Sequence, residues 1–227
     1  SQDSQQSILE AAEKKYGRND TRLADLIVRA AENFETSDPR KCDELMNRAA
    51  SMIESFEPSQ GGVVRVRDLA SYFISRKELN KADLVLRSEY RILRTAIDPD
   101  GSLLENTVSE LAHEYCSQNQ FLKAESIILL AKSQTKGSAK PDSKWSDDLD
   151  TIYLLYAAKM KQKGNMRESK RLLARSNEEF EKSLRAMADS RKNWPNNNAS
   201  VEAERLKTSR QNQLEQWGLD HLFKRPT

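Results

Sequence analysis

His113 and Cys116 come closest, by type and spacing, to catalytic chemistry. At i and i+3 they fall on one face of a helix. A thiolate–imidazole pair there could serve as a nucleophile or begin a metal site. A structural zinc needs four ligands, however, and the second of the two histidines is His221, near the C-terminus. The same spacing suits an ordinary thiol one turn from a surface histidine, and that reading is preferred. Glu178, Glu179 and Glu181 form a second cluster, among Lys170, Arg171, Lys182 and Arg185. Opposite charges at helical spacing predict surface ion pairs there rather than paired acid and base. No Walker loop, Rossmann glycine pattern, serine elbow or HExxH motif occurs. The expectation is a protein that is not an enzyme and uses no cofactor or metal.

The elements that would carry such residues are helices. The 227 residues include 32% charged and 7% aromatic residues, with 7 Gly and 6 Pro, a profile that suits helices with wet outer faces. Net charge is +2 but unevenly spread. From Thr151 onward, 16 Lys and Arg stand against 9 Asp and Glu, or +7, which leaves −5 for the first 150 residues. The basic third is interleaved with acids and lacks alternating aromatics, which argues against nucleic acid as the partner. Cys42 and Cys116 fall in different helices and read as free thiols, a lean towards a reducing, cytoplasmic compartment. A start at Ser1 without Met keeps a processed, exported form open. No apolar run is long enough to span a membrane.

A phrase recurs along the chain. LASYFISRKELNKADLVL begins at Leu69 and LAHEYCSQNQFLKAESII at Leu111, 42 residues apart and without a gap. YAAKMKQKGNMRESKRLL follows from Tyr156, 45 residues on. A degenerate copy, AAENFETSDPRKCDEL from Ala30, lies 39 residues upstream and needs a one-residue gap in its turn. Such repetition means stacked supersecondary units. Apolar residues at steps of 3 and 4 place helix pairs at about 20–57, 63–97, 103–136 and 147–190, with a partial repeat helix at 7–16. Asp20 or Thr21 is expected to cap the first pair. The last repeat helix runs from Asn165 to about Lys192, longer than a repeat needs. Residues 1–192 thus read as one helical repeat domain, and 193–227 as a capping helix and tail. In that tail Trp217, Leu219, Leu222 and Phe223 are expected to pack back near Phe180 and Leu184.

The repeat columns resemble the tetratricopeptide family. They are the small residue after the leucine (Ala70, Ala112, Ala157), the aromatic three further on (Phe73, Tyr115) and the alanine opening the second helix (Ala82, Ala124). The linkers resemble the 42-residue variety of kinesin light chains. The Asn-Asn that precedes Leu-Ala there is Arg67-Asp68 and Ser109-Glu110 here, which argues against kinesin-type cargo recognition. The resemblance implies an all-α, right-handed α-solenoid of stacked helix hairpins, ended by a long C-terminal capping helix. It implies an adaptor or scaffold that binds a protein or peptide in a groove lined by the first helix of each pair. On that face lie Asp25 and Glu32, then Val64, Arg67 and Ser71, then Asn106, Ser109 and His113, and finally Lys161. The competing expectation is a peptide- or ligand-sensing regulatory domain of a larger protein. A homodimer through the C-terminal helices is a further expectation.

Overall fold

A computed structural model describes residues 2–20, 23–54, 66–93, 104–134, 143–191 and 199–222. Among them every regular element is helical. The order is α1 (Gln2–Tyr16), α2 (Ala24–Glu32), α3 (Pro39–Glu54), α4 (Val66–Ser75), α5 (Leu79–Leu93), α6 (Glu105–Ser117), α7 (Phe121–Gln134), α8 (Ser143–Gln162), α9 (Met166–Arg191) and α10 (Ala199–Gln216). A 3-10 turn, Asp220–Leu222, follows. No described helix is long and apolar enough to cross a membrane.

Small residues recur at matching buried positions of the helices. Ala31, Ala70, Ala112 and Ala157 are all fully buried on the first helices. Cys42, Ala82, Ala124 and Ser169 are buried at the start of the second helices. Ser169 fits this apolar column because its hydroxyl donates to the Ala157 carbonyl at 2.9 Å. That bond satisfies a group whose burial would otherwise carry a penalty. Around the small residues, Phe73, Tyr90, Leu111, Tyr115 and Ile128 fill the core with no exposed surface.

Three first helices end in the same way, at the same repeat position. Lys77 (φ 62°), Asn119 (φ 59°) and Gly164 (φ 76°) each take the left-handed conformation. Each donates its N–H three residues back, to Ile74, Cys116 and Lys161. The next residue in each case donates five back, to Phe73, Tyr115 and Met160. This is the Schellman closure, which pairs the last carbonyls of a helix and turns the chain sharply. The upstream copy differs, as its gap implied. Its turn, residues 33–37, contains no left-handed residue, and Asp38 restarts the chain by accepting the Lys41 N–H at 3.1 Å. Leu23 holds the position before α2, and its N–H donates to the Asp20 carbonyl at 3.0 Å. Thr21 lies outside the described residues.

The chain forms two compact units, residues 1–114 and 115–227, divided within α6. In the first, α1 packs on α2, and α3 packs on both α4 and α5. In the second, α7 packs on α8, α8 on α9, and α10 on α9. α9 has 26 residues, so it is about 39 Å long. The α10 helix is locked by a charge. Arg210 and Asp150 are both buried. Arg210 donates to Asp150, to the Ser176 hydroxyl at 2.6 Å and to the side-chain Oδ1 of Asn177 at 3.0 Å. Its guanidinium also lies 4.3 Å from the Phe180 ring centre. After α10, Gly218 (φ 63°) repeats the Schellman closure, with Leu219 N–H donating to the Leu214 carbonyl. Leu219 is fully buried, while Trp217 and Leu222 are half-buried. Phe223 lies outside the described residues.

Candidate functional site

Burial decides the chemistry of Cys116. Loss of solvent pushes its thiol up to about 12, so at neutral pH it is a protonated, poor nucleophile and a poor metal ligand. His113 is exposed. Cys42 is also buried, and burial raises its thiol too. Among the described residues no group of three or more His, Cys, Asp and Glu could hold a metal ion. The acidic cluster on α9 divides. Glu178 and Glu181 are exposed as expected, whereas Glu179 is buried. It accepts from Lys132 of α7 at 3.2 Å and from Lys182 at 2.6 Å. Burial alone would raise its carboxyl, but the bonds from Lys182, Ser146 and Lys132 outweigh it and hold the group below its ordinary range. It is a strut between helices, and its geometry offers no acid–base partner.

Most of the groove residues lie in the first unit. On α2, Asp25 is half-buried and pairs with Arg29 at 2.9 Å, and Glu32 is exposed. On α4, Arg67 is exposed, 3.3 Å from Asp68, and Ser71 is half-buried. On α6, Asn106 and His113 are exposed, and the Ser109 hydroxyl donates to the Glu105 carbonyl at 3.0 Å. Val64 lies outside the described residues. Lys161, in the second unit, has a different neighbourhood. Its ammonium donates to the Gly218 carbonyl. A side chain added at Gly218 would meet that ammonium 2.7 Å away. Lys161 therefore ties the end of α10 to α8.

One column escaped the sequence reading. The fifth residue of three second helices is an acid, Asp43, Asp83 and Glu125, whereas α9 has Lys170 there. Asp43 accepts from the Tyr72 hydroxyl of α4 and from Arg76, just past the end of α4, at 2.6 Å. Glu125 accepts from the Tyr153 hydroxyl at 2.9 Å and from Arg175, whose guanidinium lies 4.2 Å over the Tyr153 ring. Asp83 instead binds Arg87 of its own helix at 2.9 Å and leaves one buried oxygen without a partner. At the two repeat positions where the others find tyrosine, α6 carries Val108 and Glu114. An acid following the small residue in three of the four repeats was the signal available.

Two cavities of the second unit lie side by side. The first, about 400 Å³, is lined by the α6–α7 turn from Asn119 to Lys123 and by Tyr156, Lys159, Met160 and Lys163 of α8. Phe121 and Tyr156 stack in it, with ring centres 4.8 Å apart and planes 10° apart. The second, about 290 Å³, shares Asn119, Phe121 and Lys159 and continues along Leu155, Ala158 and Gln162 to Trp217. Trp217 thus sits against α8, whereas Leu214 and Asp220 share a separate cavity with Phe180. Among the described residues no carboxylate lines either of the first two cavities. The arrangement can hold an apolar group beside an anion. Cys116 also lines the second cavity, as a thiol that burial keeps protonated, and among the described residues neither lining brings carboxylates together. No family model matches the sequence, and no curated protein matches it significantly, so the reading of this surface rests on the residues themselves.

Proposed function

We propose that this chain is a non-enzymatic binding module of the tetratricopeptide type, a right-handed helical solenoid that takes a peptide or protein segment as an adaptor or assembly scaffold. The observation that carries the reading is the shared closure at Lys77, Asn119 and Gly164. Three hairpins built to one plan are what stacked repeat units require, and such stacks present long, preformed binding surfaces. A rigid stack limits the ordering cost on association. Within the first unit, exposed Glu32, Arg67, Asn106 and His113 offer polar and charged contacts to a ligand lying on the first helices. Lys161 belongs in this reading to the cap rather than to the ligand surface.

The test is affinity capture from extracts of the source organism, followed by peptide-array mapping of the captured partner. Arg67→Glu should leave helicity intact and weaken an acidic ligand, with a difference that shrinks as salt rises. Equal binding by the two proteins at low salt removes this face from the site.

A further inference from the structure

We infer that the paired cavities of the second unit form a docking site for an acidic peptide segment carrying one large apolar side chain. The inference rests on the reading of the chain as a binding module and gives it a second location and a ligand class.

The two cavities share Asn119, Phe121 and Lys159, so they make one continuous groove. Its floor is apolar, from the stacked Phe121 and Tyr156 to Trp217. At its rim Leu122 is 67% exposed, a large apolar side chain with no burial to explain it. Lys123, Lys159 and Lys163 stand around that floor, and no carboxylate among the described residues lines it. An apolar slot with a cationic rim complements an apolar side chain flanked by Asp or Glu. Asn119, exposed in the helix closure, adds a polar side chain to the lining of both cavities.

Single-stranded nucleic acid is the weaker fit. Base stacking needs an open aromatic face. Phe121 is buried, and its stacking partner Tyr156 already covers it.

The experiment is fluorescence anisotropy with the full chain. The probe is a labelled peptide of Asp, Glu and Gly around one Phe. Comparison probes are the same peptide with Ala for Phe, a Lys-for-acid version, and a labelled oligothymidylate. The first peptide should bind best, and salt should weaken it. Lys159→Glu with Lys163→Glu should lower its affinity about tenfold or more, as reversing rim charges implies. Leu122→Glu, at an exposed position, should weaken it as well, and circular dichroism should show all variants folded. Arg67→Glu should leave this affinity unchanged. No binding of the acidic peptide, or binding indifferent to the lysine and Leu122 substitutions, overturns the inference. So does tighter binding of the oligothymidylate that the lysine substitutions abolish. Weakening by Arg67→Glu alone places the peptide on the first unit, which sinks this site and keeps the proposed function. Partner binding unaffected by Arg67→Glu, together with lysine-dependent peptide binding, does the reverse.

Discussion

Asp43 in the first unit and Glu125 in the second occupy the same repeat position and bind the same kinds of partner, a tyrosine hydroxyl and an arginine. Their surroundings differ. The Asp43 and Arg76 side chains are 40% and 43% exposed, whereas Glu125 is 14% exposed and Arg175 lies over the Tyr153 ring. The second unit adds Glu179 with Lys132 and Asp150 with Arg210, whereas among the described residues the first has Glu13 with Arg48, each 18% exposed. Identical contacts can therefore have unequal consequences. An exposed pair competes with water and contributes little. A buried pair contributes little net stability while intact but is costly to break on one side. The second unit, which carries the cap, holds its helices through such interactions.

The largest effect should come from Arg210→Ala. It leaves Asp150 buried without its cation and removes the guanidinium from Phe180, at a cost of about 3–5 kcal/mol. Denaturant unfolding should show the loss, and amide exchange should show it spreading from α10. A double change to apolar residues, Arg210→Met with Asp150→Leu, should recover much of it. A single variant as stable as the parent would mean that α10 is held by its apolar contacts alone.

Glu125→Ala and Asp43→Ala test the comparison directly. The first removes charged hydrogen bonds from a largely buried group and should cost about 2 kcal/mol. The second removes an exposed pair and should cost about 0–1 kcal/mol. Acid should rank the units in the same way. Asp43 is held below the usual carboxylate range by bonds from Arg76 and Tyr72, and Glu179 by its lysines and Ser146 despite burial. A depressed folded-state value means stability that is complete above the unfolded value and lost as pH falls through the folded one. The loss should be measurable for the Glu179 pair, as a difference between parent and Glu179→Gln that closes below the carboxylate range. A larger effect from Asp43→Ala than from Glu125→Ala would reverse the comparison.

Much of the helical framework was legible because it rests on local pattern. Ala70, Ala112 and Ala157 announced tight interior positions by recurring, and all three are fully buried. Ala112→Leu should overpack that position and cost about 1–3 kcal/mol, read as a lowered unfolding midpoint. Arg210 was not legible. It sits in a mostly polar helix, and its partner Asp150 is 60 residues away, so no periodicity links them. Lys161 read as a groove residue because helical steps give a face, but they do not say whether another part of the chain covers it. Gly218, 57 residues on, does so. The acid column recurred in three of the four repeats, yet charged residues are so common on helix surfaces that recurrence alone did not separate an anchor from a solvated face.

The helix closures allow the finest comparison, since the two units share them with different residues. Lys77 in the first unit and Gly164 in the second adopt nearly the same left-handed backbone. For a residue with a Cβ this conformation costs about 1–2 kcal/mol, and glycine escapes the cost while losing about 0.5–1 kcal/mol more backbone entropy on folding. A Cβ at Gly164 would meet no atom within 4 Å, so Gly164→Ala probes the backbone alone. At position 77 the side chain also pairs with Glu114 at 2.6 Å, so Lys77→Gly must be compared with Lys77→Ala, which loses the same pair. In both turns the glycine form should be the more stable by about 0.5–1 kcal/mol. Asn119→Gly should change little, because asparagine tolerates this region better than most residues. Equal glycine-over-alanine differences at 77 and 164 would show that the two units close their hairpins under the same strain. A glycine at 77 that destabilises relative to alanine would show that this turn is held open in solution, and the shared repeat plan would fail at its first full copy.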